Sequence, residues 1–179
     1  MTPETQKSVQ QWLSDPDHWA GIMTNRPSGT PPGYLSSPEA ELGARLVEVD
    51  HLPLLGSGML AWFASTQCDL PDHTFLKPNP VHALGLMQMC KGDPASKALR
   101  LANDLWRGEG EIEDWEMFNG SQVTIFEDAV KGLQAGRSAK ALLEINGIDI
   151  ELQLIGISSN PIKRGELEKI ADIVYSEIN

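Results

Sequence analysis

A chain of 179 residues is long enough to bury a sizeable core, and one domain over residues 1–179 is the default expectation. Its 41% hydrophobic and 22% charged residues are ordinary for a globular protein, and a formal charge of −11 argues against nucleic-acid phosphates or an anionic membrane surface as partners. No apolar run is long enough for a bilayer and Met-Thr-Pro-Glu-Thr-Gln-Lys has no secretory apolar core, so a cytoplasmic setting with Cys68 and Cys90 reduced is expected.

Thr2 as cap and Pro3 at the first helical position predict a short helix to about Leu13. Ser14-Asp-Pro-Asp17 follows as a turn; Asp15 and Asp17 have D-x-D spacing, but no apolar strand leads into them. Ala20 to Pro27 reads as a short strand running into a loop, which the Pro and Gly of Ser28 to Gly33 continue. Ser36-Ser37-Pro38-Glu39 has the form of a capping box with Pro at the first position, ahead of Leu42, Leu46 and Val49 at helical spacing. His51 to Gly58 breaks that pattern. Met59-Leu-Ala-Trp-Phe-Ala64 is an apolar run whose periodicity does not separate helix from strand; its Ala and Leu content favours helix.

Phe75-Leu-Lys-Pro-Asn-Pro80 is a rigid elbow, with Lys77 and Asn79 held extended by the prolines after them. Asn79 is placed to cap a helix from Pro80 to about Cys90, and Asp93-Pro94 opens another with Ala98, Ala102, Leu105 and Trp106 along one face. Gly108 to Asp114 is an acidic loop. Ile148, Ile150, Leu152 and Leu154 alternate with polar residues, which predicts a half-buried strand continuing into Ile155-Gly-Ile157. Asn160-Pro161 starts a helix through about Ile170, and Ala171 to Tyr175 is a last short strand. Alternation of strands and helices from Val123 onward indicates an α/β fold with a parallel sheet. His18, His51, His73 and His82 are scattered singly, so no zinc site is expected.

The most informative stretch is Ser121 to Gly136. Val123, Ile125 and Phe126 form a β-prone run, expected as a buried strand, that ends in the adjacent carboxylates Glu127 and Asp128. An amphipathic helix follows, with Val130, Leu133 and Leu142 among its apolar positions and Asn146-Gly147 as its end. Acids at the C-terminal end of a parallel strand stand where open sheets bind ligands, and a pair of them suits Mg²⁺ when phosphate is also a ligand. The alternative is that they cap the following helix and favour its positive end.

Three stretches in order, Ile22-Met-Thr24-Asn25-Arg, Leu76-Lys77-Pro-Asn-Pro and Ile125-Phe-Glu127-Asp128 with Lys131-Gly-Leu-Gln-Ala-Gly136, resemble the haloacid dehalogenase-like (HAD-like) superfamily over about residues 5–179, weakly between Pro27 and Asp72. The resemblance implies a Rossmann-like parallel sheet with flanking helices and a phosphate-transferring chemistry. It implies phosphate binding by Thr24, Asn25 and Lys77, and Mg²⁺ held by Glu127 and Asp128. An anionic phosphoryl group needs such a hydroxyl, cation and metal to spread its charge. The family opens with a strand ending in Asp-x-Asp-x-Thr, whose first Asp is the nucleophile. Nothing before Thr24 fits, because Asp15 lies only nine residues ahead of it, too close for a strand, crossover and second strand. The expectation is therefore an incomplete HAD-like fold, lacking its first strand and cap.

Such a chain would retain phosphate and Mg²⁺ binding without the nucleophilic Asp, as an inactive or incomplete phosphohydrolase taking phosphate or a phosphorylated small molecule. Two alternatives stand beside it: an active phosphatase completed by another chain or a missing segment, and a non-catalytic ligand-binding or protein-interaction domain. An open strand edge left by the missing strand would also invite a homodimer.

Overall fold

A computed structural model describes residues 3–177, with side chains from Lys7 onward, so Thr2 and its capping role lie outside the described residues. The chain forms two compact units. One runs to Leu76 and resumes over Leu84–Arg100; the other takes Lys77–Ala83 and the chain from Leu101 onward.

The first unit begins with α1 (Pro3–Leu13), followed by β1 (Ile22–Met23), α2 (Glu39–Leu46), β2 (Leu54–Leu55) and α3 (Ser57–Gln67). It shares α4 (Pro80–Lys91) and α5 (Ala95–Arg107) with the second unit. β1 and β2 pair in parallel, Ile22 with Leu54 and Met23 with Leu55. Two-residue strands are too short to show alternation, which is why β2 is invisible in the sequence. Leu55, Leu60, Phe63, Ala64, Phe75, Leu84 and Leu99 are fully or almost fully buried, with the Phe63 and Phe75 rings 5.7 Å apart. The apolar run at 59–64 lies within a helix, as its Ala and Leu content suggests.

Two expectations fail in α2. Its cap is Pro38 and carries no side-chain hydrogen bond, so Ser36 does not close a capping box. Ser36 lies instead against Gly58, where an added Cβ would come within 2.5 Å of its hydroxyl. The inward face of this eight-residue helix is Ala40 and Ala44, one turn apart, while Leu42 and Leu46 are 56% and 85% exposed. The chain ahead of α2 is held to α3 by the Ser57 N–H donating to the Arg26 carbonyl at 2.9 Å and the Met59 N–H donating to the Ser28 hydroxyl at 3.3 Å. The Ala40 N–H donates to the Pro27 carbonyl at 2.9 Å, at the buried side of α2.

The second unit carries β3 (Gln122–Glu127), α6 (Val130–Ile145), β4 (Glu151–Ile157), α7 (Pro161–Leu167) and β5 (Ile173–Tyr175). Its sheet is parallel in the order β3-β4-β5, so the alternation read from the sequence is realised as an α/β unit. Leu133, Leu154 and Leu167 form its centre, with Ile125, Val130, Leu152, Ile170, Ala171 and Val174 packed around them. Asn146 ends α6 and Gly147 follows at φ 84°, a left-handed conformation that glycine adopts at little cost. Asp172 extends β5 by one step: its N–H donates to the Leu154 carbonyl and its carboxylate accepts from the Leu154 N–H.

β3 is not the fully buried strand expected. Val123, Ile125 and Glu127 are half-buried, whereas Gln122, Thr124 and Phe126 are exposed, Phe126 at 60%. Phe126 has the opposite parity to Val123 and Ile125, so a regular strand turns it to the other face of the sheet. Among the described residues β3 is also an edge strand, with β4 as its one partner. Among the described residues no helix is long and apolar enough to cross a membrane.

Candidate functional site at the end of β3

β3 runs parallel to β4, with Glu127 level with Gly156, so the turns after both strands open at the same end of the sheet. In such sheets that end is the usual ligand side. α6 follows β3 closely because Gly132 and Gly136 lie one turn apart on its inward face. A Cβ on Gly136 would come within 2.2 Å of the Ile125 side chain, and one on Gly132 within 2.1 Å of the Glu127 carboxylate. Gly132 thus leaves the space that the Glu127 carboxylate fills. Neither Glu127 nor Asp128 caps α6; its cap is Ala129, which makes no side-chain cap bond.

Glu127 forms an ion pair with Lys77, and the two side chains are only 9% and 8% exposed. Its second carboxylate oxygen accepts the Asp128 N–H at 3.1 Å. Pro78 follows Lys77 through a cis peptide bond, and Asn79 Oδ1 accepts the Val81 N–H at 2.9 Å to start α4. Burial lowers the Lys77 pKa from 10.5 to about 8, with the Asp128 charge pushing it back up. The ammonium is nevertheless the main form at neutral pH.

Asp128 is the open acid of the pair, 70% exposed, with Oδ2 at 3.5 Å from Lys163 Nζ. Lys163 is itself half exposed and lies in the first turn of α7. Asn160 caps that helix, its Oδ1 accepting the Ile162 and Lys163 N–H groups at 2.9 and 3.3 Å. The result is one buried and one exposed ion pair side by side at the strand end: Lys77 with Glu127, and Lys163 with Asp128.

Of the predicted site residues, the structure brings Lys77, Glu127 and Asp128 together within the second unit. Thr24 and Asn25 belong to the first, directly after β1. The Thr24 N–H donates to the Leu55 carbonyl at 3.1 Å and its hydroxyl accepts the Arg26 N–H at 3.1 Å, a local turn bond. Asn25 is exposed. Two residues were missed in the sequence. Lys163 was visible in principle, since the start of the helix after β4 must lie beside the end of β3 in a parallel pair. Gly132 lies within the Lys131 to Gly136 stretch, but its packing against Glu127 is a tertiary contact that no local pattern announces.

The donor set fits Mg²⁺ in one way only. Both Glu127 oxygens are already engaged, and among the described residues no three acidic, histidine or cysteine side chains converge to hold a metal. Mg²⁺ that keeps its waters and binds through one or two carboxylates plus ligand phosphate needs just Asp128 from the protein.

A concavity of about 460 Å³ lies in the first unit and is lined by His18, Trp19, His51, Leu52, Pro53 and Cys90 among others. His18 stacks on Trp12 at 4.2 Å, and burial pushes the Cys90 thiol up to about 11, so Cys90 is a poor nucleophile. No family model matches the chain, and no curated protein or solved structure matches it either.

Proposed function

We propose that the second unit is HAD-like and binds phosphate, or the phosphate of a small molecule, at the end of β3. The observation that carries this reading is the pairing of Lys77–Glu127, buried, with Lys163–Asp128, exposed, at the C-terminal end of a parallel strand. Lys163 is the cation a ligand meets from solvent. Lys77 adds its charge from behind and keeps the Glu127 carboxylate fixed. Mg²⁺, where it accompanies the phosphate, would be held by Asp128 and would supply charge neutralisation. In this reading Glu127 is given to Lys77 and Asp128 to the cation, which leaves neither carboxylate as the nucleophile. The chain binds and does not turn over.

Thermal unfolding with inorganic phosphate and Mg²⁺ tests this. Phosphate should raise the midpoint for wild type, Mg²⁺ should raise it further, and Asp128→Asn should lose the Mg²⁺ increment alone. Lys163→Gln should weaken the phosphate increment. A wild type indifferent to both ions favours a second reading, in which this is a protein-interaction unit and the ion pairs are structural. The full satisfaction of both Glu127 oxygens inside the protein is the observation on that side.

A further inference from the structure

Three segments of the first unit converge on its 460 Å³ concavity: the turn after α1, the chain entering β2, and the last turn of α4. Each is fixed by contacts of its own. The Ile22 N–H donates to the Pro53 carbonyl at 2.8 Å, which ties β1 to the chain ahead of β2. A Cβ on Gly21 would come within 2.7 Å of Leu86 and 2.8 Å of the Cys90 sulfur, so the glycine lets the end of α4 pack directly against the start of β1. In the turn after α1, the Ser14 hydroxyl donates to the Gln11 carbonyl at 2.6 Å and the His18 N–H to the Asp15 carbonyl at 3.1 Å.

His18 is the oriented polar group of this lining. Its ring stacks on Trp12 with the planes 7° apart, and its Nδ1 lies 2.9 Å from the Trp12 carbonyl oxygen. A carbonyl only accepts, so Nδ1 carries a proton and the neutral ring leaves Nε2 as a lone pair. The ring is thus held before any ligand arrives, which lowers the ordering cost of binding. His51, the other imidazole of the lining, is exposed. Leu13, Leu52 and Pro53 supply apolar walls, and Trp19, 44% exposed, supplies a flat one. Among the described residues of the lining none is Asp, Glu, Lys or Arg, although such residues make up 22% of the chain. A charged ligand would shed water there without meeting an opposite charge. A ligand with no donor would cover Nε2 and leave it unpaired.

We propose that the concavity binds a small, uncharged aromatic molecule carrying an N–H or O–H donor, its ring against Trp19 and its donor on Nε2 of His18. The volume is at the low end of the ~300–1,000 Å³ usual for small-molecule sites and suits a ligand of one or two rings. The site does not rest on the phosphate reading of the second unit.

Indole and benzofuran test this, because they share a shape and differ in the N–H. Titrations of the full chain, followed by nuclear magnetic resonance at the Trp19 indole N–H and the His18 ring nitrogens, should saturate with indole at millimolar concentration or below. Benzofuran should bind about tenfold more weakly, and only indole should move the Nε2 signal. Benzoate, a ring with a charge, should not bind. His18→Phe keeps a flat ring on Trp12 and should bring indole down to the affinity of benzofuran while leaving benzofuran unchanged; a merely structural role for His18 would weaken both alike. Should that variant fail to fold, the Nε2 signal of wild type decides, and one that stays still as indole saturates overturns the proposal. So does indole without a saturable shift at Trp19, benzofuran or benzoate bound as tightly as indole, or a folded His18→Phe that keeps the preference.

Discussion

Lys77 and Glu127 form the most demanding contact in the second unit, because two charges are withdrawn from water together. Breaking such a pair leaves one charge buried alone, which costs about 3–5 kcal/mol, while an apolar replacement of both partners is often neutral. Lys77→Met should therefore lower stability in urea unfolding by that order, and Lys77→Met with Glu127→Leu should recover most of it. Additivity of the two substitutions would show that the residues do not act as a pair. Gly132→Ala should cost about 1–3 kcal/mol through overpacking, because the added methyl falls on the Glu127 carboxylate. The sign of the pH effect follows from the lowered Lys77 pKa. Between about 8 and the ordinary 10.5 the unfolded lysine holds its proton more fully than the folded one, so this group adds stability as pH rises through that window. Phosphate binding should move oppositely, weakening as pH rises past 8 and the ammonium is lost. The stability difference between wild type and Lys77→Met, followed from pH 7 to 11, reads the first effect.

At the scale of elements, α7 depends heavily on its start. It has seven residues, and Asn160 closes two of its free N–H groups while Pro161 fits the first turn. Asn160→Ala should cost about 1 kcal/mol, seen as a lower urea midpoint at unchanged slope. It should also loosen Lys163, so phosphate affinity should fall further than a remote substitution of equal cost would cause. α6 shows how an element carries a site without touching the ligand. Gly132 and Gly136 bring it close to β3, and that closeness shapes the place where Glu127 meets Lys77.

Across the whole molecule, acidity sets the solution behaviour. With a sequence pI near 4.7, solubility should pass through a minimum close to that pH, where self-repulsion vanishes and exposed apolar residues such as Phe126 and Tyr175 can associate. A turbidity scan from pH 7 to 4 checks this, and a minimum well away from 4.7 would point to charge patches rather than net charge.

The sequence by itself determined what is local. Asn79-Pro80, Asn160-Pro161 and Asn146-Gly147 mark helix ends because their side chains and backbone preferences act within a few residues. The alternation of Ile148, Ile150, Leu152 and Leu154 and the β-prone run of Val123, Ile125 and Phe126 marked the strands for the same reason, although β4 begins only at Glu151, and the order of elements then implied a parallel sheet. Lys77, Glu127 and Asp128 were legible as chemistry, since acids at a strand end and a lysine in a proline elbow stand out one by one. Only the tertiary structure decided what these groups do to each other. That Glu127 is neutralised by Lys77, fifty residues away, and that Lys163 faces Asp128 are long-range facts with no periodicity to announce them. The same holds for β2, whose two residues are a strand because β1 lies beside them, and for α2, whose inward face is Ala40 and Ala44 rather than its leucines. Hydrogen bonds and charge pairs between distant segments depend on where the chain returns, and that is fixed by packing rather than by any window of sequence.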